Sequence, residues 1–122
     1  MLTLTPPLVR SAYIMLRGGP VFHRLRVAET LTPFIQFDIM KGDTLRGFYE
    51  YRKNHRVPHR IGLHQPYCTT LEHTLETLAH EMIHMHQQIA GTASPRVIHN
   101  AEFKRIAKRV CDAYGFPFSR FV

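Results

Sequence analysis

The chain has 122 residues, 44% of them hydrophobic and 20% charged. That balance predicts one self-sufficient globular domain over residues 1–122 and excludes a disordered or fibrous chain. Sixteen Lys and Arg against nine Asp and Glu leave a formal charge of +7, which favours polyanionic partners such as nucleic acid without specifying any chemistry. Cys68 and Cys111 lack CxxC spacing, and no apolar run is long enough for a signal sequence or a membrane span, so the expectation is a cytoplasmic protein with reduced thiols, no zinc ribbon and no membrane contact.

In chain order, Pro6 and Pro7 suit a helix start, and Leu8, Ala12, Tyr13 and Leu16 keep helical spacing until Gly18, Gly19 and Pro20 stop it. A second helical stretch is expected from Val21 to Glu29. Phe34 to Met40, FIQFDIM, reads as a strand, and Lys41, Gly42 and Asp43 supply a turn to another strand over Leu45 to Tyr51, so the two are expected to pair as a hairpin. Arg60 to His64, RIGLH, is the third strand of what should be a small antiparallel sheet.

After Pro66 the pattern turns helical. Thr69 followed by Glu72 has the form of a capping box, and the helix is expected to run to Ile89 or Ala90, with Gly91 as its stop. A loop containing Pro95 leads to a last helix over Asn100 to Tyr114. There Phe103, Ile106, Ala107, Val110, Cys111 and Tyr114 form one apolar stripe, and Gly115 and Pro117 end the run.

The long helix carries the chemistry. His80, Glu81, Met82, Ile83 and His84 spell HExxH, and side chains at i and i+4 leave a helix on one face, so two imidazoles can reach one metal ion. Glu81 sits about 100° further round, where its carboxylate can act as general base on a water beside that ion. Leu71, Leu75, Leu78, Met82 and Ile89 fall on one arc and His73, Thr77, His80, Glu81, His84 and Gln88 on the other, which predicts a helix packed on its leucine side and facing a cleft with its histidines. His86 lies about 200° from His84 and is expected to pack or face solvent instead.

A catalytic zinc site takes three protein ligands and leaves a fourth position for water. The pattern HExxHxxGxxH would need Gly and His where this chain has Gln87 and Ala90, so the third ligand must come from elsewhere. Glu102, from the last helix, is one candidate. His99 is better placed, at the start of that helix after a loop able to fold it back toward His80 and His84.

From Phe34 to Tyr114 the chain resembles the SprT-like (Spartan-type) metallopeptidase family: it has Leu45, Arg46 and Gly47 in the hairpin, RIGLH, HEMIH, and the segment HNAEFKRIAKRV that begins with His99. The family's third histidine opens an HGPEF-like segment, and Asn100 and Ala101 stand here in place of its glycine and proline. The paired cysteines of the family's frequent C-terminal zinc ribbon do not occur in residues 1–122.

The resemblance implies an α+β, zincin-like domain in which a small sheet of about three strands packs with the HExxH helix and flanking helices. It implies Zn2+ as cofactor, His80, His84 and His99 as its ligands, Glu81 as catalytic base, protein or peptide as substrate, and DNA-associated proteins as targets. His64, Tyr67 and His73 are candidates to line the cleft, and Arg60 to His64 is the candidate edge strand for an extended peptide. Lys104, Arg105, Lys108 and Arg109 on the last helix are candidate nucleic-acid contacts, although a solvated face is the commoner explanation of such charges. The rival expectations are a zinc-stabilised binding module with four protein ligands and an enzyme that hydrolyses a small amide in an enclosed pocket.

Overall fold

The computed structural model describes residues 1–42 and 45–122, so the Asp43 part of the expected turn lies outside the described residues. Helix α1 spans Pro6–Arg17; Thr5 caps it by accepting from the Leu8 N–H, and Gly18 closes it. The helix expected over Val21 to Glu29 is instead two short 3-10 turns, Phe22–Arg24 and Arg26–Glu29. Val21 sits at φ 69° and ψ −59°, and the Phe22 N–H reaches the Pro20 carbonyl at 2.8 Å. That γ-turn reverses the chain before a helix can nucleate. Tyr13 and Arg17 of α1 then hold the segment in place through the Thr30 carbonyl, at 3.0 and 2.9 Å.

The sheet has three strands, β1 (Ile35–Met40), β2 (Gly47–Tyr51) and β3 (His59–His64), in the order β1-β3-β2. It is mixed, which corrects the expected hairpin and the all-antiparallel sheet. β3 inserts between the other two, parallel to β1 and antiparallel to β2. The reason is burial: five of the six β3 residues, all but Arg60, are buried, as suits a strand covered on both faces and paired on both sides. β2 is only half buried and ends exposed at Glu50 and Tyr51. The assignment of Arg60 to His64 as an edge strand is therefore overturned, and β2 is the edge that adjoins the long helix.

Helix α2, Leu71–Ala90, crosses the inner face of the sheet. Its cap is Thr70, whose side chain accepts from the His73 N–H at 3.1 Å, one residue later than the expected Thr69–Glu72 box. Gly91 ends it at φ 75°, a left-handed conformation that glycine adopts without penalty. Leu78, Met82, Ile83 and Met85 share one core with Ile35, Phe37, Ile61 and Leu63 of the sheet. The expected division into a leucine face and an open polar face is only partly observed. Leu71 is 62% exposed while Thr74, Glu76, Thr77, Glu81 and Gln87 are buried, because α1, α3 and the sheet enclose the helix on several sides.

Helix α3 (Ala101–Tyr114) follows the predicted stripe, burying Phe103, Ile106, Ala107, Val110 and Cys111. A final turn of helix, α4 (Phe118–Phe121), was not expected; it packs on α3 and α2. No described helix is long and apolar enough to cross a membrane.

Candidate metal centre

α2 projects His80 and His84 from adjacent turns, with ring centroids 5.0 Å apart. His99 arrives from the loop before α3, 4.9 Å from His80 and 5.2 Å from His84. One nitrogen from each ring lies within 4.8 Å of the others, a group that could hold a metal ion.

The position of His99 follows from its neighbour. Asn100 caps α3 by accepting from the Phe103 N–H at 3.0 Å and donates to the Thr92 carbonyl at 3.1 Å, which fixes both ends of the loop. Gln87, 1% exposed, donates from α2 to Asn100 and to Glu102, at 2.9 Å each. The glutamine that stands where HExxHxxGxxH has its glycine is thus the tie that brings the loop back to α2. Glu102, the other candidate third ligand, is held by Gln87 and is not a member of the histidine group. Hydrogen bonds from Thr92 and Gln87 hold its carboxyl below the usual range.

Phe103 forms the floor. Its ring lies 4.4 Å from His99, 4.6 Å from His84 and 5.0 Å from His80. Burial lowers the pKa of all three imidazoles, His80 to about 4 and His84 to about 3, with smaller contributions from their neighbours' charges. Near neutral pH the rings are uncharged, the state in which imidazole binds a metal. His80 Nδ1 is 2.7 Å from the Phe121 carbonyl. A carbonyl only accepts, so Nδ1 carries the proton and Nε2 keeps its lone pair for an ion. The donor set therefore suits a divalent transition metal.

Glu81 is 6% exposed, and burial pushes its carboxyl up to about 8. It lines the same cavity as His80 and His99, a space of about 280 Å3 whose far side is formed by Arg46 and Gly47 at the start of β2 and by Arg120 and Phe121. A Cβ on Gly47 would meet the Gly62 carbonyl oxygen and Thr77 Cγ2 at 2.8 Å each, so glycine lets the edge strand lie close against α2.

The remaining candidates fall around this core. Tyr67 and His73 stack at 4.7 Å, the Arg46 guanidinium covers Tyr67 at 4.5 Å, and His64 is 3% exposed; none of the three lines the cavity. Lys104, Arg105, Lys108 and Arg109 are exposed on α3, where Lys108 pairs with Asp112 at 2.9 Å. His86 accepts from the Arg26 N–H at 2.9 Å and stays outside the group, as its helical position requires. Sequence reasoning missed Glu76, Arg120 and the Phe121 carbonyl, and gave Arg46 a place in the hairpin but no role at the site. Glu76, one turn before His80 on the same helix face, was the one available signal.

Residues 22–121 match the SprT-like family, a family associated with metalloprotease-like function. No curated protein sequence matches the chain.

Proposed function

The chain belongs to the SprT-like family, and from that premise we propose that it is a zinc metallopeptidase in which His80, His84 and His99 hold the ion and Glu81 is the general base. The observation that carries the reading is the convergence of three uncharged imidazoles, His80, His84 and His99, two of which share a cavity with the buried Glu81 carboxyl. A zinc-stabilised binding module would need a fourth protein ligand; among the described residues the group has three.

When bound there, Zn2+ supplies Lewis acidity, which lowers the pKa of an adjoining water and polarises a peptide carbonyl. The protein's own contribution begins with β2. Its outer backbone edge starts at Gly47 in the cavity wall, so an extended peptide added to that edge would run past the histidines. Glu81 then takes the proton of the attacking water and delivers it to the departing amine, with no covalent intermediate. Burial of Glu81 keeps competing bulk water away from that transfer. The exposed cations of α3 and the formal charge of +7 support proteins associated with nucleic acid as the substrate class.

The test is Glu81→Gln in zinc-loaded protein, assayed on an unfolded protein substrate and for self-cleavage, with and without DNA. The expected result is full zinc occupancy and no cleavage. Turnover equal to the parent protein would reject the base assignment.

A further inference from the structure

α4 meets the metal centre through its backbone rather than a side chain. The Phe121 carbonyl on His80 Nδ1 is held in place by the preceding residue. Arg120 Nε donates to both Glu76 carboxylate oxygens at 3.0 and 3.1 Å, and its Nη2 donates to Glu76 at 2.7 Å and to Glu72 at 3.0 Å. Arg46 Nη1 donates to the Arg120 carbonyl at 2.9 Å, closing the strap from the other side. Glu76 is 3% exposed and lies one turn before His80, so one face of α2 offers both a carboxylate to grip the arginine and the imidazole that its neighbour's carbonyl engages. A two-pronged guanidinium–carboxylate pair fixes direction as well as distance. That precision is more than a four-residue helix on the surface requires.

We propose that Glu76 and Arg120 are positioning residues for the metal centre, their ion pair seating α4 so that the Phe121 carbonyl sets the tautomer and ring orientation with which His80 meets an ion. This rests on His80 being a metal ligand, and not on the substrate or on catalysis. Partners of this kind, one step removed from the ion, typically change metal affinity by roughly 10–100-fold.

Two measurements on the full chain test it: zinc affinity by competition with a chelator, and the His80 tautomer in metal-free protein from two-bond proton–nitrogen NMR correlations. Arg120→Gln and Glu76→Gln are each expected to weaken zinc binding by roughly 10–100-fold and to let His80 populate the tautomer protonated at Nε2. The double reversal Glu76→Arg with Arg120→Glu is expected to recover most of both. Should the single variants fail to fold, Arg120→Lys, which keeps the charge but loses the two-pronged grip, takes their place with an intermediate loss. Unchanged zinc affinity overturns the proposal, and so does a zinc loss with an unchanged His80 tautomer, which would mean general loosening. Neither arm reads peptide hydrolysis. A chain that binds zinc through this clamp and cleaves nothing would keep the inference and lose the proposed function.

Discussion

Glu81→Gln in metal-free protein isolates the titration of one buried group. Burial holds the folded carboxyl up at about 8, against an ordinary value of 4.5. Between those values the folded state keeps a proton that the unfolded chain has released, so rising pH favours unfolding. The stability that this raised pKa contributes is present in full below the unfolded value and is lost as pH climbs through the folded one. At about 1.4 kcal/mol per pH unit, the loss between pH 6.5 and 8 amounts to about 2 kcal/mol. Glutamine does not titrate, and both proteins carry the same histidines, whose contributions cancel in the difference. Urea unfolding in the presence of a chelator, at pH 6.5 and at pH 8, should therefore show the variant gaining about 2 kcal/mol on the parent protein. Saturating zinc should abolish the gain, since a neighbouring dication favours the carboxylate. A constant offset between the two proteins across this range would refute the claim that Glu81 is held protonated by burial.

His99→Ala should lower zinc affinity by more than the roughly 10–100-fold typical of residues one step from the ion, whereas Glu102→Ala should leave the metal content after dialysis unchanged; the reverse ranking would move the third ligand into α3. Phe103→Ala removes a fully buried ring from beneath three imidazoles and should cost about 3–5 kcal/mol in chemical denaturation. Gly47→Val forces a side chain against the Gly62 carbonyl and Thr77, with an expected loss of about 1–3 kcal/mol. Because it pushes β2 away from α2, peptide hydrolysis should fall at temperatures well below the melting transition, as parallel activity and melting curves would show.

The parts of this protein that were legible in its sequence depend on local periodicity. HExxH on a helix needs only the geometry of one turn, and Gly91 and Gly115 mark helix ends because both adopt left-handed backbone, at φ 75° and 79°. His99 was legible because it follows a loop able to fold back toward the helix and matches the third histidine of the SprT-like pattern; the Asn100 cap that fixes it is a feature of the structure. Strand order was not legible. The alternation in RIGLH shows that a strand exists but not which strands flank it, and that choice depends on covering β3 from both sides. Thr69 and Thr70 are chemically the same, so side-chain chemistry does not choose between them, and only the backbone makes Thr70 the cap. α4 is shorter than the window over which helical periodicity emerges, and its contribution to His80 is a backbone carbonyl, which every residue possesses and no motif records.

The three histidines of the proposed centre are unevenly spaced along the chain, two on one rigid helix and the third beyond a loop whose residues, from Thr92 to Ile98, are exposed except Ser94. An ion shared by His84 and His99 would close that loop as a cross-link does. Unlike a disulfide, such an ion leaves when the chain unfolds, so it stabilises by mass action, by binding only the folded arrangement of the imidazoles. An ion with the proposed catalytic role would then also serve as a structural staple in a chain whose two cysteines are both buried and unpaired. Metal loss would therefore first loosen the segment that carries His99, so that the centre comes apart from its loop side while HExxH stays ordered on its helix.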